Sequence, residues 1–252
     1  MLTGDAGERM DRDAELAACR KELADAREEL RRARDHLTLF AGQVSHDLRT
    51  PLTAVLANAE MLAGEPAVAE DPDLTWMVGG VERAARRMNA MIEAMLSYAR
   101  EGGEPQLTVT RLGKVLDRVL EDLAPLIDES GAELVVGELP TLPADASQMY
   151  AVLLNLLTNA LRFARPGANT LVQISAQRVD GRWRVSVSDN GPGVPAERQE
   201  AMFVLFARAD KRLDGSGIGL ATVKRVVEAH GGRVGMESPE AGGTTVWFEL
   251  PA

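Results

Sequence analysis

Cysteine is almost absent. Cys19 is the single one in 252 residues, which excludes an intrachain disulfide framework and a cysteine-based zinc site. Aromatic residues make up only 4 %, so a core has to rest on Leu, Val, Ala and Met. No run approaches roughly 18 consecutive apolar residues, and Met1 to Met10 lack the apolar stretch of a signal peptide. A soluble, cytoplasmic chain is expected, with any upstream sensor or input domain lying outside it. Positive charge is short as well. A formal net charge of −10 argues against a nucleic-acid partner, which requires a basic stripe to displace counterions. Phosphate ligands stay open, because backbone amides and a few cations hold them locally.

What is present is strongly patterned. Leu16, Leu23, Leu30, Leu37 and Val44 recur every seven residues, with Cys19, Ala26, Ala33 and Phe40 three positions after the first four. Charged residues fill most positions between them. This a/d seam predicts a coiled-coil stem over 1–37; a single solvated helix packed on its own domain is the alternative. The steps Phe40 to Val44 to Leu48 break the heptad, and the apolar stripe continues through Leu52, Val55, Ala59 and Leu62. After a turn over 64–72, a second amphipathic helix is predicted from about Asp73 to Arg100. The two make a hairpin over 38–101, and two hairpins make a dimeric four-helix bundle.

From Leu107 the pattern becomes mixed helix and strand. Strands are predicted at Leu107–Thr110, Glu133–Leu139, Leu171–Val179, Trp183–Ser188, Arg233–Glu237 and Thr244–Leu250. Helices are predicted at Leu112–Ser130, Asp145–Phe163 and Ile218–His230. The expected fold is therefore multidomain, α followed by α+β. A C-terminal domain over 105–252 packs its helices on one face of a mixed sheet.

Five segments carry chemistry. The first is Ser45-His46-Asp47-Leu48-Arg49-Thr50-Pro51. At about 100° per residue, His46 lies roughly opposite the midpoint of Val44 and Leu48 and points outward, with Thr50 one turn further on the same side. Pro51 removes a helical hydrogen bond, and a bend is expected past the histidine. On the helix over 145–163, Asn155, Asn159 and Arg162 form a polar stripe. Amide oxygens there suit a hard cation such as Mg²⁺ and the guanidinium suits a phosphate, although a plain surface stripe explains it too. The alternation of Val185, Val187 and Asp189 places the carboxylate on the inward face, where it needs donors, and Asn190-Gly191-Pro192-Gly193 then turns close to a ligand. Gly215-Ser216-Gly217-Ile218-Gly219-Leu220 opens a helix, an anion-binding geometry, without matching a dinucleotide fingerprint or a P-loop. Between them, Phe203, Phe206, Arg208, Lys211 and Arg212 have the composition of a basic lid. His36 and His230 look structural. His230, before Gly231-Gly232, suits a helix end as a cation. Cys19, at a seam position, reads as a small packing residue.

In this order and spacing, residues 38 to 252 resemble a two-component sensor histidine kinase. Ser45 to Leu52 resemble the phosphoacceptor box, 155–163 the N box, Asp189 to Gly193 the first glycine box, Phe203 to Arg208 the phenylalanine box, and Gly215 to Leu220 the second glycine box. The resemblance implies a dimerisation and phosphoacceptor hairpin followed by an α/β-sandwich ATP-binding domain of the histidine kinase/Hsp90-like type. It implies that His46 takes the γ-phosphate of ATP, that Asp47 orients or deprotonates it, and that Thr50 places water when the partner is dephosphorylated. It assigns Asn159 to Mg²⁺ with Asn155 beside it, Arg162 to the phosphates or ribose, and Phe163 to the adenine ring. Asp189, with Gly191 and Gly193, would read the adenine amine. Phe206 and Arg208 would belong to the lid, and Gly215, Gly217, Gly219 and Leu220 would admit the phosphates. The phosphoryl group would pass to an aspartate of a response-regulator receiver domain. Asp47 stands where Glu is more usual. Two other classes remain alongside it: another ATPase of the same nucleotide-binding fold, and a scaffold that binds without catalysis.

Overall fold

The computed structural model describes residues 4–100, 103–162, 170–207, 217–239 and 242–252. The N-terminal part is helical: α1 (Gly4–Ala63), the single turn α2 (Pro66–Ala69) and α3 (Pro72–Arg100). The stem and the phosphoacceptor segment are thus one helix of 60 residues that runs on through Pro51. The predicted turn holds a short helix. Asp71 starts α3 by accepting the Asp73 and Leu74 amides at 2.9 and 3.2 Å, which satisfies donors that a helix N-terminus leaves free.

Ion pairs give the direction of the hairpin. Arg49 of α1 meets Glu93 of α3, and Glu60 further along α1 meets Arg86 (2.8 Å), earlier in α3, so the helices are antiparallel. Leu52, Ala59, Ala85 and Leu96 are buried between them. A second apolar row is left uncovered: Leu48, Val55 and Leu62 on α1, with Leu74, Val81, Met88 and Met95 on α3. Each recurs every seven residues and each is 40–50 % exposed. Cys19 is also exposed in the single chain, as is Ala26, the seam position three after Leu23.

The C-terminal part contains, in order, β1 (Thr108–Arg111), α4 (Leu112–Ser130), β2 (Glu133–Val136), β3 (Thr141–Ala144), α5 (Ala146–Arg162), β4 (Leu171–Val179), β5 (Arg182–Asp189), α6 (Ala196–Gln199), a 3₁₀ turn (Glu200–Phe203), α7 (Gly219–Ala229), β6 (Arg233–Glu237) and β7 (Thr244–Pro251). A five-stranded mixed sheet has the order β2-β4-β5-β7-β6, parallel only between β2 and β4. β1 pairs with β3 in a separate two-stranded ribbon. One sheet face presents Val172, Ile174, Val185, Val187, Val246, Phe248 and Leu250 to α4, α5 and α7 in a single core. This is the predicted helix layer on a mixed sheet.

The other sheet face is polar. Glu249 there has no exposed surface, held between Arg184 (Nε at 2.8 Å) and Arg233, and Arg184 also stacks on Trp247 at 4.2 Å. Burial alone would raise the Glu249 pKa, but the hydrogen bonds and charges of the two arginines outweigh it and the net shift is downward. The structure adds β3, α6 and the 3₁₀ turn to the predicted elements and stops β2 at Val136.

Candidate functional site

His46 projects from α1 into solvent, its side chain 79 % exposed, because Ser45 and Leu52 take the buried positions around it. Its Nδ1 lies 3.3 Å from Asp47 Oδ1. A carboxylate oxygen can only accept, so in this contact Nδ1 is the donor. Thr50 Oγ1 donates to the His46 carbonyl at 3.4 Å, on the same side. Arg49 is turned the other way, onto Glu93. His46 therefore stands outward, as the phase of its helix predicts, with Asp47 and Thr50 beside it.

The second group is drawn from α5, the end of β5 and the start of α7. Asn155 Nδ2 donates to the Ala151 carbonyl at 2.8 Å, which pins the side chain. A Cβ on Gly219, the first residue of α7, would stand 2.7 Å from Asn155 Oδ1, so any side chain there would force Asn155 or the helix start to shift. The Thr222 amide, donating to the Ile218 carbonyl at 2.9 Å, is where helical bonding of α7 begins. The amides of Gly219, Leu220 and Ala221 precede it at the positive helix end. Leu220 itself is buried in the core. Asn159, one turn along from Asn155, is half-buried, and Arg162 at the end of α5 is exposed.

Asp189 ends β5 half-buried on the side of Val185 and Val187. Burial raises its pKa and the amides of Gly191 and Thr244 lower it; burial wins. Its Oδ1 accepts from the Gly191 amide at 2.8 Å. A carboxylate has about four acceptor sites, so capacity remains for a further donor. Gly191 is buried, and its carbonyl accepts from the Gly243 amide at 2.7 Å. Gly193 has φ +87°, and a Cβ there would stand 2.7 Å from Ser238 Oγ, which itself accepts from the Val194 amide. Gly217, at φ +68°, lies against the Phe206–Ala207 backbone, and the Phe206 amide donates to its carbonyl at 2.8 Å. The phenylalanine segment and the second glycine cluster therefore close on each other, with Phe206 itself at φ +66° and exposed. Phe163, Arg208 and Gly215, like Lys211 and Arg212, lie outside the described residues.

Two sequence readings are corrected. Phe203 is a core residue at the end of the 3₁₀ turn rather than part of a lid. His230 is buried, and its Nε2 accepts the Asp145 amide at 3.1 Å while Nδ1 donates to the Val226 carbonyl at 2.8 Å. An imidazole that must accept on one nitrogen is neutral, so it is not a helix-end cation. Gly242-Gly243 and Ser238, which buttress the first glycine cluster, carry no sequence signal beyond a glycine pair before the last strand.

No group of three or more His, Cys, Asp or Glu side chains placed to hold a metal occurs among the described residues. A divalent cation here would be held by amide oxygens of the asparagine stripe, a donor set suited to an ion that keeps water and phosphate oxygens in its shell.

A helical hairpin with an outward histidine, followed by a helix-backed mixed sheet with glycine turns at one end, defines a phosphoacceptor module joined to a nucleotide-type ATPase fold. Residues 36–104 match the family model for the His Kinase A (phospho-acceptor) domain, and residues 144–252 the model for the histidine kinase-, DNA gyrase B-, and HSP90-like ATPase. The chain belongs to the sensor histidine kinases. It is 34 % identical over 218 residues to the phytochrome-like protein Cph1 of Synechocystis sp., covering 85 % of this chain and 29 % of that protein. To the sensor protein IrlS of Burkholderia pseudomallei it is 33 % identical over 223 residues, covering 86 % of this chain and 47 % of that one. The crystal structure of full-length ShkA in complex with AMPPNP matches with a TM-score of 0.62 at 30 % identity, over 85 % of this chain and 46 % of that one. The chain thus spans less than half the length of each of these three relatives.

Proposed function

We propose that this chain phosphorylates His46 with ATP and passes the phosphoryl group to an aspartate of a response-regulator receiver domain. The observation that carries the proposal is the imidazole held clear of the hairpin with Nδ1 beside Asp47 Oδ1. His46 Nε2 attacks the γ-phosphorus as the bond to the bridging oxygen breaks, and ADP leaves with that electron pair. The imidazolium so formed gives its Nδ1 proton to Asp47. Phosphoryl transfer depends on positioning and charge neutralisation more than on covalent help, so dispersed contacts suffice.

The nucleotide is assigned to the space beside Asn155, Asp189 and the start of α7. Asp189 accepts the adenine amine, and the amides opening α7 take the phosphates, with Gly217 and Gly219 leaving room. Phe163 packs on the base, Arg162 approaches the phosphates, and Phe206, Arg208 and Gly215 belong to the covering segment. The AMPPNP bound in the ShkA structure supports a nucleotide of this type. Mg²⁺, held by Asn159, would neutralise phosphate charge. Thr50, one turn from His46 with its hydroxyl on the His46 carbonyl, would orient water when the receiver is dephosphorylated. The uncovered heptad row on α1 and α3 supports a homodimer that closes a four-helix bundle. ATP and a receiver domain as partners put the reaction in the cytoplasm.

Incubation with γ-labelled ATP and Mg²⁺ tests the proposal. Acid-labile, base-stable label is expected on the wild type and absent from His46→Gln; label that persists in that variant refutes the assignment.

A further inference from the structure

α5 and α7 supply the two halves of the nucleotide site, and the structure joins them at two points. At one end Asn155 of α5 faces Gly219, the first residue of α7. At the other, His230, just past the end of α7, bonds Asp145, just before the start of α5. The helices are therefore antiparallel. From Ala146 to Asn155 α5 rises about 14 Å, and α7 is about 16 Å long, so the two points lie at the two ends of α7.

The histidine joint has a defined polarity. Nε2 accepts the Asp145 amide at 3.1 Å, and Nδ1–H donates to the Val226 carbonyl at 2.8 Å. The ring is buried, so neither bond competes freely with water. Past it, Gly232 is pressed against the β7 backbone, where a Cβ would stand 2.2 Å from the Glu249 carbonyl. Close packing there excludes a side chain at 232 but forms no hydrogen bond from α7 to α5, so the axial joint is left to His230. Asp145 is fixed independently: its carboxylate accepts the Ser147 and Gln148 amides at 3.0 and 3.2 Å and the Gln106 amide at 3.0 Å.

We propose that His230 is a positioning residue for nucleotide binding. By accepting the Asp145 amide it fixes the axial register of α7 on α5, and so keeps the opening amides of α7 level with Asn155. The inference rests on the nucleotide site proposed above. Losing the acceptor frees α7 to shift along α5, which moves the phosphate-facing amides while leaving the sheet and hairpin intact.

Two substitutions separate this role from simple packing. In His230→Gln the carboxamide oxygen can still reach the Asp145 amide. In His230→Asn the shorter side chain keeps only the Val226 contact. Titration calorimetry with AMPPNP and Mg²⁺ is expected to give His230→Gln near wild-type affinity and His230→Asn a loss of about tenfold, within the usual span of coupling between sites. Equal affinities for the two variants overturn the proposal, whether both match the wild type or both are weakened. Coupling is also reciprocal, so in the wild type AMPPNP should slow hydrogen exchange at the Asp145 amide. Exchange there that ignores bound nucleotide overturns the proposal, even if His230→Asn does not fold. A wild type that binds AMPPNP but fails these tests leaves the nucleotide site standing; one that binds none removes both.

Discussion

At the residue scale, the site depends on one missing methyl group as much as on any polar side chain. Gly219→Ala would put a carbon 2.7 Å from Asn155 Oδ1, with Asn155 already committed to the Ala151 carbonyl. Either α7 withdraws or Asn155 turns away, and both spoil the same end of the site. The variant should fold, yet bind AMPPNP at least about tenfold more weakly, roughly 1.4 kcal/mol, in a calorimetric titration. His46 could be placed from the sequence because its orientation follows from the phase of its own helix. His230 could not. Its partner stands 85 residues away, and no local pattern shows that its Nε2 receives a backbone amide. Phe203 is misleading in sequence for a related reason: a phenylalanine between two glycine clusters looks like part of a mobile cover, whereas here it fills the core at the end of the 3₁₀ turn.

At the element scale, long periodic segments were legible and short ones were not. α4 spans Leu112–Ser130 and β4 spans Leu171–Val179, as their apolar periods predict. β3 escaped because it has four residues, carries Pro143 and pairs only with β1, an arrangement in which proline costs little. α6 and the 3₁₀ turn are each four residues, too short for any period to show. The uncovered rows of α1 and α3 carry a prediction of their own. Val81→Glu combined with Met88→Glu sets two unpaired carboxylates into the proposed dimer seam. Light scattering should show at least a hundredfold weaker association, about 2.7 kcal/mol, while far-ultraviolet dichroism keeps its helical signal. A dimer of unchanged strength would mean that the rows face something other than a second copy.

At the scale of the whole molecule, a chain of net charge −10 should lose stability in acid through particular carboxylates rather than through charge in bulk. The pKa values of Glu249 and Asp145 are both lowered on folding. For Glu249 the arginines outweigh burial; for Asp145 the bonds from Ser147, Gln106 and Gln148 do. A depressed carboxylate stabilises above its unfolded value, near 4, and that contribution disappears as the pH falls through the folded value. Asp189 has the opposite sign. Its raised pKa lowers stability as the pH climbs from about 4 toward the folded value, and a donor bound there would offset that. Urea denaturation at several pH values should find Glu249→Gln less stable than the wild type at pH 7, with the gap narrowing below about pH 4. A constant gap would show that the two arginines do not depend on the carboxylate charge.

The unbroken run of α1 from Gly4 to Ala63 has one more consequence. Without a joint, the helix behaves like a screw thread, in which spacing and angle cannot change separately. One residue inserted between Leu37 and Val44 would turn the stem by about 100° relative to the bundle, whereas seven would bring it back to within about 20°. Labelling of His46 should accordingly vary with the insert as a cycle, altered at one to three added residues and restored at seven.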